Sequence, residues 1–315
     1  MPSSHSWLPA RSRVCEGSSI VTMHVGIAGT GKMGSAMARN LLDRGYQISV
    51  WNVDSEMAAP LAAAGATAFE SLESLVEAVD ATIAMLWDDE VAREISLGRI
   101  IPAARKGRLV IESSTLSPQM YETLAEAATA RGVDFLACPI IGSVDGARTG
   151  TLTLYPGGSD RAFDRARELL SAMGSTITFT GSPGASGHLK LASNCVLGVL
   201  ADSIGELLGI LGKAGVDRAL AIDTLVYMLE RVATKRQQLL ERDTQPRFSA
   251  GALLKDLRLA HRARERLQVN APLMDCALAE FENAVEKGLA NEDYIAVGLA
   301  LERSEDRPPC GAAYR

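Results

Sequence analysis

The chain has 315 residues, of which 47% are hydrophobic and 22% charged, and it carries a formal net charge of −6. This length predicts about two domains, and the composition is typical of a globular protein. The negative charge disfavours general nucleic-acid binding. Because no run of 18 or more residues is both apolar and free of charged side chains, we also expect no membrane span.

The cysteines show no spacing typical of a metal site, and their odd number leaves at least one unpaired. This pattern argues against a disulfide framework or a metal centre and favours a reducing cytoplasm. Their positions are Cys15, Cys138, Cys195, Cys276 and Cys310.

The two ends of the chain are predicted to lie outside the folded domains. Residues 1–22 are rich in serine and lack the apolar core of a secretory signal, so we expect a disordered extension before Met23. Residues 303–315 contain two consecutive prolines and are predicted to form a disordered tail.

A glycine-rich turn follows the first buried strand, which is predicted at residues 24–28. In the pattern G-x-G-x-x-G, Gly29 permits a tight turn, Gly31 lets a pyrophosphate approach the backbone, and Gly34 lets the next helix pack on the sheet. That helix is expected to run to Arg44, and its N-terminus offers free N–H groups to phosphates. The alternative is a tight turn without a ligand. The residues predicted to bind the cofactor here are Gly29, Gly31, Lys32, Met33 and Gly34.

Strand and helix patterns alternate through the first half of the chain. Strands are predicted at residues 46–51, 66–68, 81–85, 108–111, 133–137, 152–155 and 176–180. Helices are predicted at residues 56–64, 72–79, 89–96, 118–131 and 160–173. This alternation predicts an α/β fold with a Rossmann-type, doubly wound and mainly parallel sheet over residues 23–182. Beyond Gly184 only helical patterns occur, which predicts an all-α second domain over residues 183–302.

The second domain is predicted to begin with a turn-rich approach and a long apolar helix from about Leu189 to Lys213. Lys190 and Asn194 are four residues apart and therefore share one helix face. If that face lines a cleft, desolvation lowers the pKa of the lysine toward neutrality, where it can exchange protons with a substrate. The alternative is that Lys190 extends to water from a core helix.

Two glycines on this helix, Gly205 and Gly209, also share a face. They indicate close helix packing, either within the subunit or across a dimer, and a kinked or shorter pair of helices is the alternative. We expect a homodimer or higher homo-oligomer that buries the apolar helix.

Four separated segments resemble the β-hydroxyacid dehydrogenase family, which includes 3-hydroxyisobutyrate dehydrogenases, tartronate semialdehyde reductases and succinic or glyoxylic semialdehyde reductases. The resemblance extends over about residues 24–300. The segments are GIAGTGKMG at residues 26–34, ESST at 112–115, PIIGS at 139–143, and GASGHLKLASN at 184–194, joined by KDL at 255–257.

The resemblance implies roles for four residues. Lys190 would be the general acid and base, and Asn194 would position the substrate. Thr115 and Lys255 would approach a nicotinamide cofactor, which carries the hydride. Local alternatives are a helix-initiating turn for Thr115, a core hydrogen bond for Asn194 and a solvated helix position for Lys255.

The chain departs from the family pattern at two places. Where the family commonly has Ser-Gly-Gly to hold a substrate carboxylate, this chain has Ile141, Gly142 and Ser143. The backbone donors remain, but Ile141 favours a bulkier or less polar substrate, unless Ser143 replaces the missing hydroxyl.

The second departure follows the second strand, where Asn52 replaces a carboxylate that would select NAD and Val53 replaces an arginine that would select NADP. Asn52 does not repel a phosphate, whereas Asp54 could oppose one or bind the ribose. We expect NADP(H) with a slight preference over NAD(H).

The leading hypothesis is an NAD(P)-dependent oxidoreductase acting on a 3-hydroxy acid or the corresponding semialdehyde. The alternatives are an imine reductase, which Lys190 disfavours because those enzymes usually have Asp or Tyr there, and a non-catalytic dinucleotide-binding oligomer.

Overall fold

The computed structural model describes residues 23–301, so the predictions for residues 1–22 and 303–315 lie outside the described range. The chain divides into two compact units, of which the first ends at Ser193 and the second begins at Asn194. Each unit is considered by itself.

Within the described residues of the first unit, seven strands form one sheet with the order β3-β2-β1-β4-β5-β6-β9. All neighbours in this sheet are parallel except β6 and β9, which are antiparallel. The strands are β1 (Val25–Ala28), β2 (Ile48–Trp51), β3 (Thr67–Ala68), β4 (Ala81–Ala84), β5 (Leu109–Glu112), β6 (Asp134–Ala137) and β9 (Gly157–Gly158). The predicted α/β class and doubly wound, mainly parallel sheet are confirmed.

Helices pack on both faces of this sheet. They are α1 (Lys32–Asp43), α2 (Ala59–Ala62), α3 (Leu72–Ala78), α4 (Asp89–Ala92), α5 (Ile101–Ala103), α6 (Pro118–Ala130), α7 (Val144–Thr149) and α8 (Asp160–Met173). A 3-10 helix at Ser55–Ala58 precedes α2, and a π-helix at Arg93–Ile100 links α4 to α5. Strands β1, β2, β4 and β5 are buried at every position, which explains why their sequences are mostly apolar and do not alternate between apolar and polar residues.

A second, smaller sheet contains two of the strands that the sequence patterns predicted. Its order is β10-β8-β7, with β7 at Ile140–Ile141, β8 at Leu152–Leu154 and β10 at Gly174–Ile177. The sequence patterns do not predict β7, β9 and α7, because strands of two residues and a helix of six are too short to show a hydrophobic period.

Helix α9 (Pro183–Lys213) begins six residues earlier than the sequence predicted. Gly184 and Gly187 lie inside its first turns rather than in a preceding loop. The packing explains this, because a β-carbon would lie 2.3 Å from Glu122 Oε1 at Gly184 and 2.9 Å from Pro118 Cα at Gly187. These glycines let α9 lie against α6. The helix is continuous over its 31 residues, so the alternative of a shorter pair of helices is not found.

The described part of the second unit is helical, as predicted. After α9 come α10 (Arg218–Ala233), α11 (Arg236–Glu241), α12 (Ala250–Arg266), α13 (Pro272–Glu286), a 3-10 helix at Leu289–Asn291, and α14 (Ile295–Leu301). Lys235 and Asp293 form a buried ion pair of 2.8 Å in this unit. Asp293 also accepts the N–H groups of Arg247 and Phe248, just before α12, so the ion pair holds the entry to that helix.

Helix α9 makes specific contacts at its far end within the second unit. Glu206 accepts the N–H groups of Leu273 and Met274 at the start of α13, and Lys213 donates to the carbonyl oxygens of Leu267 and Gln268. A β-carbon added at Gly209 would lie 3.8 Å from Val269, whereas one added at Gly205 would have no described neighbour within 4 Å. The close packing predicted for the glycine face is therefore found only at Gly209 among the described residues.

By length and composition alone, α9 is the one helix among residues 23–301 that could cross a membrane. The apolar window responsible for this is exposed rather than buried within the fold.

Candidate active site

A cavity of about 700 Å³ opens at the carboxyl ends of β1, β2, β4 and β5. Strand β1 lies between β2 and β4 here, so chain connections leave it in opposite directions. Such a switch point is where doubly wound sheets bind their ligands. The lining residues are Gly29, Gly31, Lys32, Met33, Gly34, Trp51, Asn52, Val53, Met85, Leu86, Trp87, Val91, Ile95 and Thr115.

The glycine-rich turn forms one wall of the cavity, and each glycine is needed for a different reason. Gly29 has a φ of +100°, and a β-carbon there would lie 2.2 Å from Met85 O. A β-carbon on Gly34 would lie 2.0 Å from Gly29 O, so this residue lets α1 approach the turn. A β-carbon on Gly31 would meet no described atom within 4 Å and would enter the cavity. Gly29 and Gly34 thus shape the turn, and Gly31 keeps it open.

These features fit a dinucleotide phosphate. Gly31 is the N-cap of α1 and has no side chain to cap the helix, so the first N–H groups of α1 are left for an external acceptor. The hydroxyl oxygen of Thr30 is buried without a hydrogen-bond partner among the described residues. Lys32 adds an exposed cation to the cavity lining. The turn could therefore hold an anionic pyrophosphate with N–H donors, a hydroxyl and a positive charge.

Asn52 connects the glycine-rich turn to the loop after β2. Its Oδ1 accepts the N–H of Thr30 at 3.0 Å, and its Nδ2 donates to Asp54 O at 3.1 Å. Asp54 in turn accepts the N–H of Glu56. Because both groups of the Asn52 amide bond within the protein, its first role is to hold the turn, and it lines the cavity as a neutral residue.

Thr115 also lines the cavity, from the loop after β5, and it is exposed. The helix-initiating residue of this loop is Ser117, whose hydroxyl caps α6, so the local alternative for Thr115 is not adopted. Ser114 holds this loop in place, because its hydroxyl bonds to the side chain of Glu112 and to the backbone N–H of Leu86.

Lys190 lies on α9, one turn beyond the contact between Gly187 and Pro118. Its side chain is partly buried, and burial lowers the pKa of its amine from the usual value for lysine. A lowered pKa allows a lysine to accept and return a proton near neutral pH. Asn194 follows one turn later on the same helix and is exposed.

The segment containing Ile141, Gly142 and Ser143 forms the junction between β7 and α7. Gly142 has a φ of +145°, which favours glycine. The hydroxyl of Ser143 accepts the N–H of Gly146 at 3.1 Å and caps α7. Ser143 therefore has a structural bond of its own, while its hydroxyl hydrogen remains able to donate to an anion.

The structure brings together seven of the eight residues predicted to bind the cofactor, since all but Lys255 line the one cavity. Lys255 lies on α12 in the second unit, where its exposed amine pairs with Asp256 at 3.0 Å. The sequence patterns did not identify most of the remaining lining residues, including the exposed Trp87. A signal was present, because residues directly after the parallel strands meet at this edge of the sheet.

Two sequence profiles match the chain. The NAD-binding domain of 6-phosphogluconate dehydrogenase matches residues 24–181. The NAD-binding region of NADP-dependent 3-hydroxyisobutyrate dehydrogenase matches residues 184–300.

Full-length relatives agree with these matches. The chain is 30% identical to the NAD-dependent L-serine dehydrogenase of Pseudomonas aeruginosa, over 87% of this chain and 96% of the relative. It is 28% identical to the 2-hydroxy-3-oxopropionate reductase of Escherichia coli (strain K12), over 89% of this chain and 97% of the relative.

Among solved structures, an imine reductase from Pseudomonas sp. superposes with a TM-score of 0.80 at 20% identity, covering 89% of this chain and 99% of that one. At this identity the likeness shows the fold alone. The sequence matches, by contrast, cover both units and agree with the four motifs, so the chain belongs to the β-hydroxyacid dehydrogenase family.

Proposed function

We propose that the protein is an NAD(P)(H)-dependent oxidoreductase that interconverts a 3-hydroxy acid and the corresponding semialdehyde. The observation that carries this proposal is the open glycine turn at the switch point, in the same compact unit as a lysine of lowered pKa. Relatives named as dehydrogenases or reductases of hydroxy acids support the reaction type.

The proposed chemistry is one proton transfer coupled to one hydride transfer. When bound, the nicotinamide accepts or supplies the hydride. In the oxidative direction, the neutral amine of Lys190 accepts the alcohol proton while the carbinol carbon loses its hydride and the carbonyl forms. In the reductive direction, the Lys190 ammonium returns that proton to the carbonyl oxygen. Asn194 is proposed to orient the substrate oxygen.

For the remaining sites, Lys255 is proposed to contact the cofactor, as the family resemblance implies. The Gly142 and Ser143 N–H groups are proposed to hold a substrate carboxylate, with Ile141 beside them. Because Ile141 replaces a hydroxyl, we propose a substrate with a larger or less polar substituent than the smallest hydroxy acids.

For the cofactor, we propose a slight preference for NADP(H). Asn52 is neutral and already bonded to Thr30 and Asp54, so it neither repels a phosphate nor binds a ribose as a carboxylate would. Lys32 supplies positive charge to the same cavity. Calorimetric titration with NADPH and NADH tests this preference, and tighter binding of NADH would refute it.

We further propose that the protein is a cytoplasmic homodimer. In the second unit, α9 and α10 expose apolar side chains, including Leu197 at 67% and Tyr227 at 58% exposure. The contacts of Glu206 and Lys213 fix α9 within a folded helical unit, which favours covering by a second copy rather than by lipid. Cys138 and Cys195 are free thiols, consistent with a reducing compartment.

The test of the proposed reaction is an absorbance screen at 340 nm with both cofactors against semialdehydes, 3-hydroxy acids and cyclic imines. We expect turnover of semialdehydes and 3-hydroxy acids. Activity confined to imines would replace the proposal with imine reduction. Cofactor binding without turnover of any compound would favour a non-catalytic protein.

A further inference from the structure

Glu112 is a fully buried carboxyl group at the end of β5 that the proposed reaction does not use. It is 0% exposed, and within residues 23–301 its carboxyl oxygens bond to two serine hydroxyls and one backbone N–H, with no cation among these partners. An unpaired buried carboxylate is costly, so this position requires an explanation.

The two oxygens of Glu112 have different partners. Oε1 accepts both the N–H and the hydroxyl of Ser114. Oε2 lies 2.5 Å from the hydroxyl oxygen of Ser96, which is in the π-helix. Because Ser114 already supplies two donors to Oε1, a proton on the carboxyl group belongs on Oε2, where it is donated to Ser96.

This hydrogen-bond network extends to three segments of the cavity wall. The Ser114 hydroxyl also accepts the N–H of Leu86 at 2.6 Å, which fixes the loop after β4. Leu86 lines the cavity, as do Thr115 beside Ser114 and Ile95 beside Ser96. Three lining segments are thus connected to Glu112. Ser96 and Ser114 bond to its carboxyl group directly, and Leu86 bonds to Ser114.

Near neutral pH, both charge states of the Glu112 carboxyl group are populated. Burial raises the pKa of Glu112 to about 7, although the bonds from Ser114 and Ser96 oppose this increase. Other titratable groups face the same region from neighbouring elements. The Tyr121 hydroxyl on α6 has a pKa raised well above its usual value, and burial raises the pKa of Cys138, after β6, to about 12. On α4, Asp89 is bonded to Ser117.

We propose that Glu112 is a positioning residue for the dinucleotide site, whose carboxyl group ties the loops after β4 and β5 to the π-helix. Its ionisation favours opening of these loops to water, because the serine hydrogen bonds strengthen with the charge but offset only part of the cost of burying it. Tyr121 and Cys138 stay neutral through pH 8, so Glu112 is the group of this network that changes charge between pH 6 and pH 8. The identity of the ligand rests on the proposed function, whereas the loosening of the loops does not.

The test compares wild type with E112Q at pH 6 and pH 8. A glutamine amide reproduces the neutral acid, since Oε1 can accept from Ser114 while Nε2 donates to Ser96. We measure hydrogen exchange of the segment containing Leu86 in the ligand-free protein, and by calorimetry the Kd for whichever of NADPH and NADH binds wild type more tightly. The matched control is E126Q, which makes the same substitution at an exposed position of α6.

From pH 6 to pH 8, we expect the Kd of wild type and of E126Q to rise about tenfold more than that of E112Q. The protection of the Leu86 segment, corrected for intrinsic exchange, should fall over the same range in wild type and in E126Q but not in E112Q. If E112Q does not fold, S114A serves instead, because it breaks the bond to Leu86. Its affinity should be weak at both pH values, without the additional loss at pH 8.

The outcomes separate the two proposals. If wild type binds either dinucleotide and E112Q shows the same pH dependence as wild type in both measurements, the role of Glu112 is refuted. If neither NADH nor NADPH binds but the exchange difference remains, the proposed function fails and the positioning role stands.

Discussion

At the scale of single residues, the proposed acid and base chemistry depends on Lys190, and the sign of its pKa shift predicts a pH profile. Burial lowers the pKa of its amine, so the neutral form is reached at a lower pH than for an ordinary lysine. Oxidation requires the neutral amine and should accelerate as pH rises through this pKa. Reduction requires the ammonium and should slow over the same interval.

The measurement is kcat/KM against pH in both directions. We expect two opposite curves with one shared inflection below the usual range of lysine. Parallel curves in the two directions would show that a different group governs the proton transfer.

Glu112 makes a separate contribution to the pH dependence of stability. Its pKa is about 7 in the folded protein against a reference of 4.5, so folding favours the protonated form. This stabilisation is complete below about pH 4.5 and is lost as pH rises to about 7. We therefore expect E112Q to gain stability relative to wild type over this interval, by about 3 kcal/mol in total.

Denaturant unfolding of both proteins between pH 4.5 and pH 8 measures this difference. The exposed variant E126Q should track wild type throughout. A constant difference between wild type and E112Q across the range would mean that Glu112 does not titrate there.

At the scale of elements, two residues of the glycine-rich turn have different roles. Gly34 shapes the fold, and Gly31 is proposed to admit the ligand. A G34A substitution places a β-carbon 2.0 Å from Gly29 O, so the backbone must shift, and we expect a loss of about 1–3 kcal/mol of stability. A G31A substitution meets no described atom, and the φ of −63° suits alanine. We expect it to keep wild-type stability but to weaken dinucleotide binding at least about tenfold, or about 1.4 kcal/mol.

Thermal unfolding and calorimetric titration of the two variants test this separation. If G31A bound the dinucleotide as tightly as wild type, the cavity would not be the pyrophosphate site.

Elements with strong local signals were predictable from sequence. The turn at residues 29–34 and helix α8, predicted at residues 160–173, were correctly located because glycine spacing and a capped amphipathic pattern are local. The start of α9 was wrong by six residues. Glycines usually mark turns, but those at 184 and 187 serve close packing on α6, which only the tertiary structure reveals.

The candidate site was likewise predictable only where its residues belong to a local sequence motif. Residues within the glycine motif were found, whereas Trp87 and Leu86 enter the cavity because β4 lies beside β1 in the sheet. The bonds of Glu112 to Ser96 depend on the packing of the π-helix over β5, which no spacing in the sequence specifies.

At the scale of the whole molecule, the exposed apolar surface of α9 and α10 predicts self-association. Val196 is 59% and Leu197 67% exposed, and both lie in the apolar window of α9. Burying such side chains against a second copy stabilises the assembly, and introducing charge there should prevent it. We expect wild type to sediment at twice the 33.4 kDa of the chain and the double variant V196E/L197E to sediment as a monomer.

Analytical ultracentrifugation makes this comparison, with M57E as the control because it charges an exposed apolar position of the first unit. A wild-type species of 33.4 kDa alone would refute the dimer. Recovery of wild type with membranes would instead support a lipid-facing role for α9.

The cavity is proposed to bind a dinucleotide, and Lys190 is proposed to move the substrate proton. The most direct measurement determines cofactor Kd and 340 nm turnover for wild type and K190M under identical conditions. We predict an unchanged Kd, because Lys190 does not line the cavity of the glycine turn. Turnover should fall roughly 100- to 10,000-fold, the usual contribution of a general acid or base. Wild-type turnover in K190M would contradict the account.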